Sequence, residues 1–351
     1  MGVARETWEN GPVHEAFAYV GGHLATRLRE VTTDLAALDG SGWWAVVVSY
    51  EGKVTCARFA DVRRVPLPRP AAPWQGPAAG DWRSSLDQAA YESGVRTIRD
   101  YIEQGEVYQA NLCRVLSAPL PPSARLPADP LALAARLAEG NPAPYAAVVD
   151  VPGLSVVSAS PELYLSRSGE VIESRPIKGT GVTAADLLDK DFAENLMIVD
   201  LVRNDLSRVA RVGSVSVPSL FAVEEHPGLV HLVSAVRARL AAGAGWPELF
   251  AATFPPGSVT GAPKSTATRI INELEPEPRG PYCGAVGWVD ADRREGALAV
   301  GIRTFWIEHD VLRFGTGAGI TWGSQPRREW DETELKAARL IGLASRDGRD
   351  Q

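Results

Sequence analysis

Lys178 lies in the run Arg175-Pro176-Ile177-Lys178-Gly179-Thr180-Gly181. A lysine amine attacks carbon only when it is neutral. Its pKa must therefore fall, and desolvation or a nearby divalent cation both push it down. The ordinary alternative is a surface or carboxylate-pairing lysine. Glu329 and Glu332 stand three apart in a helical pattern, so they share one face. Such a pair is either a solvated acidic face or a set of hard oxygen ligands of the kind Mg²⁺ takes. Glu162 follows Ser160-Pro161 and is either a turn carboxylate or, if buried, a general acid. Arg303 carries a planar fork suited to a carboxylate. Gly317, Ala318 and Gly319 can bring backbone N–H groups close to a ligand. Lys336 lies one turn after Glu332 and either pairs with it or reaches a ligand. His231 sits among apolar residues, where a satisfied core histidine is the ordinary reading. Thr180 is a turn-stabilising hydroxyl or a ligand donor.

The elements that must position these groups follow from pattern. Residues 43–50, 107–116, 145–151 and 154–158 are β-branched or alternating and predict strands. A hairpin is expected over 163–174, turning at Ser168-Gly169. Residues 85–104 predict an amphipathic helix with Tyr91, Val95, Ile98 and Ile102 on one face. Asp129-Pro130 opens another, as N-cap and first-turn proline. Further helices are expected over 186–209, 230–240, 247–254 and 262–275, and finally over 326–344. Antiparallel strands are expected over 282–290, 297–308 and 311–317. Residues 66–80 are rich in Pro, Ala and Gly and predict an irregular connector.

Composition narrows the function. The 351 residues carry a net charge of -7 and are 45% hydrophobic, which suits a large soluble core. With no basic run and no aromatic-basic face, nucleic acid is disfavoured. No apolar stretch reaches about 18 residues, so no membrane span is expected. Cys56, Cys113 and Cys283 form no CxxC pair, which fits a reduced cytosol and neither a disulfide framework nor a zinc site. Residues 1–10 lack the apolar core of a signal peptide.

Several blocks together carry a resemblance. In order they are Tyr108-Gln109-Ala110-Asn111-Leu112, Ser160-Pro161-Glu162, Pro176-Ile177-Lys178-Gly179-Thr180, and Glu194-Asn195-Leu196-Met197-Ile198-Val199-Asp200-Leu201-Val202-Arg203-Asn204-Asp205-Leu206. Then follow Phe254-Pro255-Pro256-Gly257-Ser258-Val259-Thr260-Gly261-Ala262-Pro263-Lys264, Gly301-Ile302-Arg303-Thr304, Gly317-Ala318-Gly319-Ile320 and Glu329-Trp330-Asp331-Glu332-Thr333. This set resembles the chorismate-utilising enzymes, which include aminodeoxychorismate, anthranilate, isochorismate and salicylate synthases. Lys178 resembles the aminodeoxychorismate synthase component I signature; the other members usually carry alanine there. Trp322-Gly323 departs from the acidic residue common in the matching loop. The short N-terminus leaves open the amino-acid regulatory site of some relatives.

The resemblance implies an α+β fold of two large, mostly antiparallel sheets face to face, with helices outside. It also implies a strand-rich N-terminal region, 1–80, on a catalytic core, 81–346. It makes Lys178 the nucleophile toward C2 of chorismate and Glu162 the acid/base at C4. Glu194, Glu329 and Glu332 become Mg²⁺ ligands, with Asp191 a weaker candidate. Thr180, His231, Arg303, Gly317, Ala318, Gly319 and Lys336 become substrate contacts. Gln109 replaces the lysine that activates water in isochorismate- and salicylate-forming relatives, which disfavours water as nucleophile. No Gly-x-Cys-x-Gly elbow surrounds any cysteine, so ammonia is expected from a separate glutamine amidotransferase. The expected reaction makes 4-amino-4-deoxychorismate in the cytoplasm. Anthranilate synthase component I and a non-catalytic chorismate-binding subunit are the alternatives.

Overall fold

The computed structural model describes residues 15–121, 129–181, 183–226 and 229–346; residues 1–10 lie outside them. In chain order come β1 (Phe17–Val20), β2 (His23–Thr32), β3 (Trp43–Val48), β4 (Val54–Arg64) and β5 (Arg83–Ser84). Then follow α1 (Gln88–Glu103), β6 (Gln109–Pro119), α2 (Pro130–Gly140), β7 (Tyr145–Val151) and β8 (Leu154–Ser160). The hairpin β9 (Leu163–Ser168) and β10 (Val171–Arg175) leads into β11 (Ile177–Gly181) and α3 (Asp189–Ser207). The long pair β12 (Ser216–His226) and β13 (Leu229–Arg239) precedes α4 (Trp246–Thr253), β14 (Gly261–Ala262) and α5 (Lys264–Leu274). The chain closes with β15 (Ala285–Asp290), β16 (Glu295–Val300), β17 (Thr304–Glu308), β18 (Val311–Ile320) and α6 (Pro326–Ala344).

Every strand pairing among these is antiparallel. The ladder runs β12–β13–β10–β9–β16–β15–β3–β4–β2–β1–β7–β8–β17–β18–β6, with β11 beside β13 and β5 and β14 beside β6. The expected α+β class is observed. Hydrogen bonding continues through all the strands, so the two layers are halves of one sheet folded over. The N-terminal strands β1 to β4 lie in the middle of that ladder.

One apolar cluster joins the layers: Ala45, Val47, Leu165 and Val286 from one half meet Ala147, Val149 and Val156 from the other. The next residue along β8, Val157, faces a second cluster with Leu133 of α2 and Leu340 of α6. Alternate side chains thus serve opposite faces, and a strand buried on both sides reads as a continuous apolar run. A third cluster seats Tyr91, Val95 and Ile98 of α1 and Ile270 of α5 over Leu112 and Ile320.

Two expectations fail. Residues 230–240, read as a helix, form strand β13, paired on both edges. Val230 to Val236 are all buried, so that seven-residue stretch carried no visible period of two. Residues 297–308, read as one strand, break between β16 and β17, where Arg303 takes a φ of 51°. The last helix starts and ends where the pattern placed it.

Candidate active site

Lys178 owes its direction to a bulge. On β13, Val233 faces Ile177 and His231 faces Thr180, so β11 fits one extra residue into that interval. Gly179 in the bulge takes a φ of 83°, a left-handed conformation glycine tolerates. A Cβ there would also lie 2.9 Å from the Cβ of Asp191 on α3. The half-buried amine of Lys178 donates to the Ser258 carbonyl at 3.1 Å. Among the described residues it has no ion-pair partner, whereas Lys264 and Lys336 each have one. Burial lowers its pKa; Glu194 and Glu162 oppose the fall and Lys336 adds to it.

Glu162 sits in the corner between β8 and β9, 4% exposed. Ser160 makes the corner: its hydroxyl donates to the Val300 carbonyl at 2.6 Å, and the Glu162 carbonyl accepts from Val300 N–H at 3.0 Å. Burial raises the Glu162 pKa to about 7, although Ser258, the Lys178 charge and the Ile177 N–H hold it back. A carboxyl near neutrality can give a proton at one step and take one at the next.

Ser258 therefore touches both groups, through its carbonyl and its side chain. Its segment is held by buried Arg279, which donates to the carbonyls of Val259 at 2.9 Å and Asn111 at 3.2 Å. Arg279 is paired with Glu275 at 2.6 Å. The pair satisfies carbonyls that would otherwise be buried without donors.

The carboxylates come from two helices. Asn195, fully buried, pins α3 to β13: it accepts from Ser234 at 2.5 Å and donates to the Leu232 carbonyl at 3.3 Å. That anchor fixes its neighbour Glu194. Helix α6 is held by buried Arg114, which donates to Thr333 at 3.1 Å, pairs with Glu334 and lies 4.2 Å over Trp330. That fixes Glu329 and Glu332. Burial raises the pKa of Glu194 and of Glu329, and the Glu332 charge raises both further. Burial pushes Glu332 up as well, but Lys336, Lys190 and Lys178 together bring it below its usual value. The Lys336 amine lies 2.6 Å from Glu332 and 3.1 Å from the Gly317 carbonyl. The pairing alternative for Lys336 is the one seen here. The three glutamates offer oxygen ligands, and the charge of Glu332 reaches both of the others, which fits Mg²⁺ chemically. Among the described residues, no three Asp, Glu, His or Cys side chains already form a metal-holding group.

The glycine strand is open along one edge. Asn111 and Cys113 direct their N–H groups away from β18, to the Thr260 carbonyl at 2.9 Å and to Glu275 at 2.8 Å. Their opposite numbers on β18 are Gly319 and Gly317. Alternation then turns the N–H groups of Gly317 and Gly319 away from β6, while Ala318 spends its own in the ladder. Two of the three expected backbone donors remain. Arg303 is half-buried with no ion pair among the described residues, and burial and Arg339 both lower its pKa. A guanidinium in that setting suits an anionic ligand. His231 is 3% exposed on β13, opposite Thr180 on one edge and Glu224 on the other.

Sequence reasoning passed over Ser258, Asn195, Arg114 and Arg279. Ser258 acts on Lys178 through its backbone, which leaves no residue-type signal. Arg114 is a buried cation in the apolar run of β6, and that mismatch was the available signal; Asn195 on the charged helix α3 and Arg279 in the loop after α5 carried none.

The chorismate binding enzyme family model matches residues 28–342. Anthranilate synthase component 1 1 of Haloarcula marismortui is 38% identical over 317 residues, covering 84% of this chain and 63% of that protein. Aminodeoxychorismate synthase component 1 of Klebsiella aerogenes is 38% identical over 273 residues, covering 74% of this chain and 59% of that protein. The chain thus spans about three fifths of the length of these relatives. The crystal structure of anthranilate synthase component I from Streptococcus pneumoniae superposes with a TM-score of 0.76 at 23% identity, over 97% of this chain and 95% of that one. With a family match over most of its length and the same fold in a solved member, this chain belongs to the chorismate binding enzymes.

Proposed function

We propose that the chain is the chorismate-aminating component of an aminodeoxychorismate synthase, making 4-amino-4-deoxychorismate from chorismate and ammonia. The observation that carries this reading is Lys178: a half-buried amine with, among the described residues, one carbonyl contact and no ion pair, and with a lowered pKa. In the proposed route, neutral Lys178 attacks C2, both ring double bonds shift by one bond, and the C4 hydroxyl leaves as water with the Glu162 proton. Ammonia then adds at C4, both double bonds shift back, and the Lys178 amine leaves C2. The Glu162 carboxylate takes the proton released by the added nitrogen. Glu162, at about 7, is suited to both transfers.

Arg303 and the Gly317 and Gly319 N–H groups would hold the substrate carboxylates, with His231 and Thr180 beside the ring. Glu194, Glu329 and Glu332 would hold Mg²⁺, which when bound supplies Lewis-acid polarisation and neutralises the ring carboxylate. A glutamine amidotransferase subunit would supply ammonia in the cytoplasm, and the product would feed p-aminobenzoate and folate synthesis. A second reading, amination at C2 as in anthranilate synthase, is favoured by relatives of that name at equal identity. Lys178 argues against it, because C2 amination has no use for a lysine at C2.

The test is incubation with chorismate, Mg²⁺ and an ammonium salt, with products identified by mass and ultraviolet spectrum. The expected product carries nitrogen at C4, and glutamine in place of ammonium gives none. Anthranilate as the main product would overturn the reading.

A further inference from the structure

Two amide side chains beside the site lack partners. Gln109 is 1% exposed and Asn111 is 8% exposed. Among the described residues, Oε1 and Nε2 of Gln109 and Oδ1 of Asn111 are buried without a hydrogen bond. Buried amides almost always find partners, so unpaired atoms in a site point to a missing ligand. The two residues are two apart on β6 and therefore share a face. They also converge. Gln109 Nε2 lies 2.1 Å, and Asn111 Oδ1 3.3 Å, from where a Cβ on Gly319 would sit. Glycine at 319 is what leaves room for them.

The place is next to the reacting groups. Asn111 N–H donates to the Thr260 carbonyl, two residues beyond the Ser258 carbonyl that accepts from Lys178. Gly319 lies two residues along β18 from Gly317, whose carbonyl accepts from Lys336. An amide carries no charge and takes no proton at neutral pH. Its carbonyl suits a neutral N–H donor and gives no ion-pair stabilisation to ammonium.

We infer that Gln109 and Asn111 form the docking place of the neutral nitrogen nucleophile, ammonia. Two amide carbonyls accept two of its three N–H groups and leave its lone pair free to attack. Gln109 Nε2 remains to donate to a substrate oxygen. The inference deepens the proposed function and rests on its use of ammonia.

The experiment is steady-state kinetics of Gln109→Leu, Asn111→Ala and the double variant. Ammonium is varied at saturating chorismate and fixed pH, and chorismate is varied at saturating ammonium. Each lost carbonyl should raise the ammonium KM by roughly threefold to tenfold, the worth of one neutral hydrogen bond. For Asn111→Ala the chorismate KM should stay within about twofold, because no proposed chorismate contact is removed; Gln109→Leu also loses the Nε2 donor and is read on its ammonium KM. An unchanged ammonium KM, or a rise confined to chorismate, overturns the inference. Gly319→Ala gives an independent reading if the amide variants misfold. It fills the space between the amides and should raise the ammonium KM while both amides stay; an unchanged value overturns the inference equally. If the wild-type chain forms no amino product from chorismate and ammonium, the proposed function fails first. If it does and these variants leave the ammonium KM unmoved, only the docking site fails.

Discussion

Lys264 and Lys178 are both lysines with lowered pKa values, and the contrast between them separates structure from chemistry. Lys264, at the start of α5, donates to Asp205 at 2.7 Å, to the Thr253 carbonyl at 2.7 Å and to the Pro255 carbonyl at 3.2 Å. All three of its ammonium protons have acceptors, and Asp205 beside it is 4% exposed. Burial lowers the pKa of Lys264, and Asp205 opposes the fall directly. Lys178 has one carbonyl and no ion pair among the described residues, with Glu194 and Glu162 acting only through space. An ammonium needs three acceptors; an amine manages with fewer. Lys264 is thus built to stay charged and Lys178 to shed its proton.

Metal removal should produce the largest effect and act on one lysine only. EDTA should abolish amination and Mg²⁺ should restore it, while thermal unfolding, set partly by the Lys264 pair, barely moves. Full turnover in metal-free buffer would remove the role given to Glu194, Glu329 and Glu332. Next in size is stability. Lys264→Met strands Asp205 in the interior and should cost about 3–5 kcal/mol by denaturant titration, the usual cost of breaking a buried pair. Lys178→Met strands no charged partner, only the Ser258 carbonyl, and should cost far less than Lys264→Met. Equal losses in the two variants would erase the distinction.

The smallest effect is in pH dependence. Glu162 must be protonated to release the C4 oxygen, so kcat/KM should fall about tenfold per unit above an alkaline limb near about 7. Lys178 must be neutral, which adds an acid limb, and burial moves that limb down from the ordinary lysine value. Linkage gives the sign for stability. The folded pKa of Glu162 lies above the ordinary 4.5, so the folded state binds more protons between 4.5 and about 7. Its contribution is complete below that window and is lost as pH rises through it. A flat kcat/KM from pH 6 to 9 would count against Glu162 as the acid.

Most helices and the hairpin were legible because their signals are local. Asp129 caps α2 with Pro130 in its first turn, and the pattern places α6 fully. β13 was misread because burial on both faces erases the alternation that marks a strand. The single ladder was also invisible, since β1 pairs with β7 and β3 with β15 across long stretches of sequence. At the site, Lys178, Glu162 and the helix glutamates were legible as residue types in matching blocks. The bulge that aims Lys178 and the Ser258 carbonyl that receives it were not, because both depend on backbone geometry rather than side-chain identity. Ala318 was counted as a donor because the sequence does not say which edge of β18 is paired.

The central claim is that the Lys178 amine bonds to substrate and thereby directs ammonia to C4. Product analysis of Lys178→Ala tests it most directly, with the wild type run in parallel. The variant should still bind chorismate, while C4 amination falls by at least about 100-fold, the low end for groups acting by covalent or acid–base catalysis. Any residual product should carry its new substituent at C2, where the amine no longer blocks approach. Near-normal C4 amination by Lys178→Ala would contradict the account and with it the preference for C4 over C2 chemistry.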